Sequence, residues 1–120
     1  LGDDHPDTLG SMSNLAILYM NQGRYDEAEP LYLETLENMK RVLGDDHPDT
    51  LSSMMSLANL HLKQGRYDEA DSHLARALEI TPLNASAWHN RGVIRERRGD
   101  PAEAVEMYRT AIRYRPDCRR

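Results

Sequence analysis

The nine residues LGDDHPDTL stand at Leu1–Leu9 and return unchanged at Leu43–Leu51, and QGRYDEA at Gln22–Ala28 returns at Gln64–Ala70. Both copies are 42 residues apart, and 21 of the 28 residues in 1–28 are identical to their counterparts in 43–70. A fixed period of this size marks a chain of stacked helical hairpins, in which no unit buries its own apolar face without leaning on the next. Such a chain offers a surface that holds other proteins rather than a pocket that transforms a substrate. Past Ala70 the likeness drops: over 29–42 against 71–84 only Leu36/Leu78 and Glu37/Glu79 match. A third unit follows at a shorter spacing of 34, with Gly65 and Ala70 echoed by Gly99 and Ala104, and Pro82 by Pro116.

With 120 residues the chain fits one domain that has a continuous core only if its units stack, three being about the minimum for stability. A hydrophobic content of 39% and a mean hydropathy of −0.74 suit an elongated solenoid with a high surface-to-volume ratio. No apolar run approaches the roughly 20 residues of a bilayer span, and no secretory signal is visible. LGDDHPD at 43–49 closes one unit and opens the next, so its copy at 1–7 reads as the end of an earlier unit, and the chain as a fragment of a longer array or multidomain protein. Cys118, the single cysteine, has no internal partner, which fits a reducing, cytoplasmic setting. Charge is uneven: residues 1–82 hold 6 basic and 15 acidic side chains, a net of −9, and residues 83–120 hold 9 and 5, a net of +4. Arg91, Arg95, Arg97, Arg98, Arg109, Arg113, Arg115, Arg119 and Arg120 form a basic end that suits an acidic peptide or the acidic end of another copy. Nucleic acid is a poor fit, since no stacking aromatics are interleaved and the net charge of the whole is −5.

Leu9, Met12, Leu15, Ala16 and Tyr19 recur at three- and four-residue steps, predicting a helix over about 7–22 that Gly23 closes. Tyr25, Ala28, Leu31, Tyr32, Thr35, Leu36 and Met39 trace a second stripe, over about 25–42, with Pro30 producing a mild bend. The later helices are expected at about 49–64, 67–80, 84–98 and 100–115, with Asp100 capping and Pro101 in first position of the last. Ala16 and Ala28 are the small residues that let two antiparallel helices approach.

GDDHPD crowds carboxylates around a histidine, but a second His or Cys at ligand spacing is missing, so the segment is read as a helix start and no metal or other cofactor is expected. Asp26–Glu27 and Asp68–Glu69 sit in first turns, where carboxylates favour the helix dipole rather than forming a catalytic pair. His5, His47, His61, His73 and His89 are read as scattered over turns and different faces, and no nucleophile elbow, Walker loop or dinucleotide fingerprint occurs, so the chain is not expected to be an enzyme.

Over essentially all of its length the chain resembles the tetratricopeptide repeats. Trp88, Gly92, Gly99, Ala104, Tyr108, Ala111 and Pro116 fill signature slots of an ordinary 34-residue unit, and Gly2 to Asp7, Asn14-Leu15-Ala16 and Gln22 to Ala28 match the 42-residue variety of kinesin light chains. The resemblance implies an all-α, right-handed superhelix of three helix-turn-helix repeats, about 7–42, 49–82 and 83–116, with six helices. Arg91 and Arg95 take slots that are usually apolar, so the last hairpin is expected to pack less tightly, at an end ready to fray or to stack on a neighbour. Ser13 and Ile17 stand where a chaperone-binding clamp has Lys and Asn, so that clamp is incomplete.

In such a superhelix the first helix of each hairpin lines a concave groove. The groove residues expected are Ser13, Asn14, Ile17, Met20 and Asn21; Met55, Asn59, Leu62 and Lys63; and His89, Asn90, Val93 and Arg97. Asn side chains hydrogen-bond a ligand backbone while Met and Leu take its side chains, which suits a protein or peptide partner, and Lys63, His89 and Arg97 bias it toward an acidic segment. The competing reading is self-association through the terminal repeats, natural or in an engineered, consensus-like array.

Overall fold

The computed structural model describes residues 5–115 as six helices and, among them, no strand. They are α1 (Pro6–Asn21), α2 (Tyr25–Leu43), α3 (Pro48–Lys63), α4 (Tyr67–Ile80), α5 (Ala85–Arg97) and α6 (Pro101–Tyr114). The readings placed on Gly2, Asp3, Asp4, Pro116, Cys118, Arg119 and Arg120 lie outside the described residues. Among those described, no helix is long and apolar enough to cross a membrane.

Each hairpin follows from its local chemistry. His47 caps α3 with its ring, Nδ1 accepting from the Asp49 amide at 3.0 Å, and His5 caps α1 by the same contact with Asp7 at 3.1 Å. A proline follows in first position, where its missing N–H costs nothing. The turn residues Gly23 and Gly65 adopt φ of 77° and 75°, a left-handed geometry that glycine enters without Cβ strain, so each helix stops within one residue and reverses. α2 runs unbroken through Pro30, whose position forfeits only one backbone hydrogen bond, to the Asp26 carbonyl.

Ala16 and Ala28, wholly buried, form the close seam of the first hairpin, and Ala58 and Ala70 that of the second. The hairpins then pack in series, 48 Å along the longest axis. One core cluster joins the first two around Ala16, Tyr32, Leu36, Met54, Leu57 and Leu60. The other joins the second and third around Leu62, Leu74, Leu78, Ala87 and Ile94.

The expectation of a loose last hairpin does not hold. Instead of spoiling the α5–α6 seam, Arg91 and Arg95 turn toward α4 and share Asp71, with N–O distances of 2.9 and 3.2 Å, and Arg95 also reaches Glu103 on α6 at 3.0 Å. α5 and α6 approach so closely at Gly92 that a Cβ there would lie 2.8 Å from the Tyr108 ring. Glycine is required at that crossing for space, not for backbone freedom.

Candidate functional site

Two neighbouring recesses bear on the groove expected from sequence. The larger, of about 770 Å³, lies between α3, α5 and α6. Met55, Ser56 and Asn59 form its α3 wall, Ala85, Ser86, His89 and Asn90 its α5 wall, and Tyr108, Ala111, Ile112 and Arg115 close it from α6. The smaller, of about 290 Å³, takes Leu9, Gly10, Ser13, Asn14 and Ile17 from α1, Tyr32, Met39 and Leu43 from α2, and Asp49, Ser52, Ser53 and Ser56 from α3. Ser56 lines both, so the two recesses are neighbours across one turn of α3.

Of the groove residues expected from sequence, Met55, Asn59, His89 and Asn90 meet in the larger recess and Ser13, Asn14 and Ile17 in the smaller. Met20 lies between the two sets: it packs on the first core cluster, and its sulfur is 4.0 Å from the Asn59 amide nitrogen. Leu62 is buried in the second cluster, Val93 is half-buried and packs against it, and neither lines a recess. Asn21, Lys63 and Arg97 are exposed and line neither recess. The α6 wall was missed because only the first helix of each hairpin was assigned to the groove. Its signal was present in the pairing of Gly92 with Tyr108: the absent Cβ admits the phenol ring, which then stands 5.4 Å from His89. The Tyr108 hydroxyl donates to Glu96 at 2.7 Å, and burial, aided by that carboxylate, pushes its pKa up, so it remains a donor.

Part of the basic end is neutralised by the preceding hairpin. Arg98 pairs with Asp68, and Arg91 and Arg95 with Asp71, so these three guanidiniums bind the third hairpin to the second instead of waiting for an acidic partner.

The histidines are not all scattered, contrary to the sequence reading. His61 of α3 and His73 of α4 stack with ring centroids 5.2 Å apart and planes 19° from parallel. His61 is buried, with Nε2 3.4 Å from Glu29 and 3.9 Å from Glu69, while Arg66 holds Glu29 at 2.7 Å and also pairs with Glu69. The 42-residue identity hid this cluster, because the first unit carries Tyr19 where the second has His61 and Leu31 where it has His73. The two carboxylates and the guanidinium satisfy one another, which makes the group a strut across α2, α3 and α4. Among the described residues no His, Cys, Asp and Glu group of three or more is arranged to hold a metal ion.

This strut carries a pH dependence. Burial, then the charges of His61 and Lys40, depress the His73 pKa below its ordinary 6.5, with Glu69 opposing. The unfolded chain therefore takes up a proton at His73 before the folded chain does, and stability that is full above pH 6.5 falls as pH drops below it. For Glu29, burial alone would raise the carboxyl, but hydrogen bonds from Arg66 and His61 hold it below its usual 4.5, so its contribution is lost only in that lower range. Urea midpoints at pH 7.5 and 5.5 are expected to differ for the wild type and to converge for His73→Gln; an equal difference in both would refute the assignment.

A tetratricopeptide repeat profile matches residues 7–82 and a second matches residues 55–117. No curated protein matches the chain. Among solved structures, BtubC (BKLC) from P. vanneervenii aligns over 96% of this chain and 49% of its own, with a TM-score of 0.86 and 23% identity. A kinesin-light-chain-like protein of Podosopora anserina, with nearly identical TPR-like repeats, aligns over all of this chain in two crystal structures. The TM-scores are 0.83 and 0.81, the identities 26% and 25%, and the coverage 60% and 61% of those chains. The present chain thus spans about half to three-fifths of the structures it matches, and shares their superhelical repeat fold.

Proposed function

The chain belongs to the tetratricopeptide repeat family, whose members mediate protein–protein interaction, and we propose that it is a non-catalytic module holding a peptide or partner segment in the recess between α3, α5 and α6. The observation that carries this reading is the convergence of Met55, Asn59, His89 and Asn90, from two different hairpins, on one open recess with Tyr108 and Ile112 opposite them. Asn59 and Asn90 supply amides that can both donate to and accept from a peptide backbone, and Met55, Ile112 and the Tyr108 ring supply apolar walls for its side chains. His89, whose ring nitrogens can donate, favours a segment that carries an acceptor such as a carboxylate. The smaller recess, continuous through Ser56, extends the track toward α1.

The repeat types fit the same reading. The second helix of each hairpin begins at Tyr25, Tyr67 and Pro101, steps of 42 and 34 residues, in keeping with two units of the kinesin-light-chain kind over 7–42 and 49–82 and one ordinary unit over 83–116.

A displayed peptide library selected on the chain tests the proposal. Ligands so obtained should bind Asn59→Ala/Asn90→Ala about thirtyfold more weakly, the loss of two hydrogen bonds of about 1 kcal/mol each, with the helical circular dichroism unchanged. Selected ligands that bind the double variant as tightly as the wild type would place the binding surface elsewhere.

A further inference from the structure

Among the described residues two glycines sit inside helices, and the packing explains one of them. At Gly92 a Cβ would strike the Tyr108 ring, but at Gly10 of α1 no described atom lies within 4 Å of the place a Cβ would take. Gly10 has no left-handed backbone to accommodate, and a glycine inside a helix is less stable there than other residues. The second unit carries Ser52 at the same position, and Met55 where the first has Ser13. Gly10 and Ser13 both line the smaller recess, so both departures hollow out the same wall. A helical glycine that nothing inside the chain requires leaves room for a backbone from outside. Stacking does not fill that room: Ser52 has a hairpin on either side of its own and is still exposed, so the repeat leaves this position open whatever precedes α1.

The same recess holds an unused donor. Tyr32 of α2 lines it, is 1% exposed, and has no hydrogen-bond partner for its hydroxyl. Burial pushes the Tyr32 pKa up, so the phenol keeps its proton. A buried donor without an acceptor is costly, and an acceptor that reaches it recovers that cost. Ser53, also buried in this wall, already donates to the Met39 sulfur at 3.1 Å. Met39 lines the recess too, and its unbranched side chain adapts to one that enters. Among the described residues the single charged group in the lining is Asp49, whose side chain is 67% exposed and so stands at the mouth.

We propose that the smaller recess seats the backbone of a bound peptide against Gly10 and takes from it a primary amide side chain, asparagine or glutamine, whose carbonyl accepts from the Tyr32 hydroxyl. This rests on the reading of the groove as a peptide site and adds what its α1–α3 half selects. The other side chains fit less well. A carboxylate would meet Asp49 and no cation in the lining. An ammonium or guanidinium drawn inward would leave water for a wall whose one anion lies at the mouth. An aliphatic side chain would leave the Tyr32 donor unpaired. An amide brings an acceptor for Tyr32, and its N–H groups can donate to the serine hydroxyls or to Asp49.

Peptides selected on the full chain from a displayed random library are the probes. They should share an Asn or Gln at one position, and changing it to Leu should weaken binding to the wild type about tenfold, the loss of one buried hydrogen bond. On Tyr32→Phe the same peptide change should have almost no effect, because both changes remove one contact and so do not add. The free Tyr32→Phe variant loses only an unpartnered hydroxyl, so its urea midpoint should not fall. Gly10→Leu, which fills the recess, should bind these peptides about tenfold more weakly or worse, with the helical circular dichroism unchanged. Gly10→Ala, the substitute if that variant loses helix, should raise the urea midpoint while it weakens binding, opposite signs that a purely structural glycine would not give. Peptides without a shared amide, additive losses on Tyr32→Phe, or full affinity for the folded Gly10 variants each overturn the proposal. Peptides that lose affinity on Asn59→Ala/Asn90→Ala but on neither Tyr32→Phe nor the Gly10 variants overturn the amide site and leave the groove standing; a library that yields no binder overturns both.

Discussion

Leu60→Ala should lower the free energy of unfolding by about 3 kcal/mol, while Leu18→Ala, the same substitution at the same place in the preceding unit, should cost less than about 0.5 kcal/mol at low protein concentration. The two residues share their sequence neighbours Leu and Ala at the third and second positions before them and the same QGRYDEA turn after them. What decides between them is what lies against each leucine. Leu60 is sealed among Tyr32, Leu36, Met54 and Leu57, and truncation leaves a cavity that these ring and branched side chains cannot fill. Leu18 faces outward, so truncation removes little contact. Urea unfolding of both variants makes the comparison, and near-equal losses in dilute solution would mean that Leu18 is covered.

Asp71→Ala should destabilise the chain by about 2 kcal/mol, less than the 3–5 kcal/mol typical of breaking a fully buried pair because these groups keep some contact with water. The loss is expected to be local. Asp71 is the shared partner through which α4 holds both Arg91 and Arg95 of α5, and its removal leaves two half-buried guanidiniums facing a seam with one fewer anion. Arg95 keeps Glu103, which lies on its own hairpin and does nothing to tie that hairpin to the rest. Amide exchange should therefore quicken across 85–114 before it does in α1 to α4, since stacked repeats can open one at a time. Exchange that rises uniformly along the chain would show that the third hairpin does not depend on this contact. Acid should act in the same direction: burial would raise the Asp71 carboxyl, but Arg91 and Arg95 hold it below its usual 3.8, so its contribution is present above that value and lost as pH falls through the lower folded one.

The helices and their ends were legible because they rest on local chemistry. Apolar stripes at helical spacing, a glycine after each first helix and a proline at the start of α1, α3 and α6 place boundaries to within a residue or so. The buried alanines were legible for a similar reason, since a small residue at the same place in two copies implies a close crossing. The contents of the groove were only partly so. Asn59 and His89 could be placed by helical phase, but Leu62 and Val93 lie at phases where a small rotation of the helix decides between core and surface, and both turned inward. The residues that repetition hides were the least legible. His61 and His73 meet because the second unit departs from the first at both positions, and Arg91 and Arg95 find Asp71 because the third departs from the second. Departures of this kind interact across hairpins, where spacing along the chain carries no information about distance.

Each hairpin touches only the hairpins beside it, so a pull on the two ends of the chain passes through every joint in turn, and none shares the load of another. Such a rod is mechanically a set of links in series, as strong as its weakest link and as stiff as the sum of their compliances allows. The link between α4 and α5 is the one in which a leucine of the earlier joint, Leu57, is replaced by an arginine, Arg91, held to a single aspartate. Every joint carries the same tension, and the one expected to yield first is that charged link, leaving the first two hairpins, with their leucine-lined joint, as the part of the rod that keeps its shape under load.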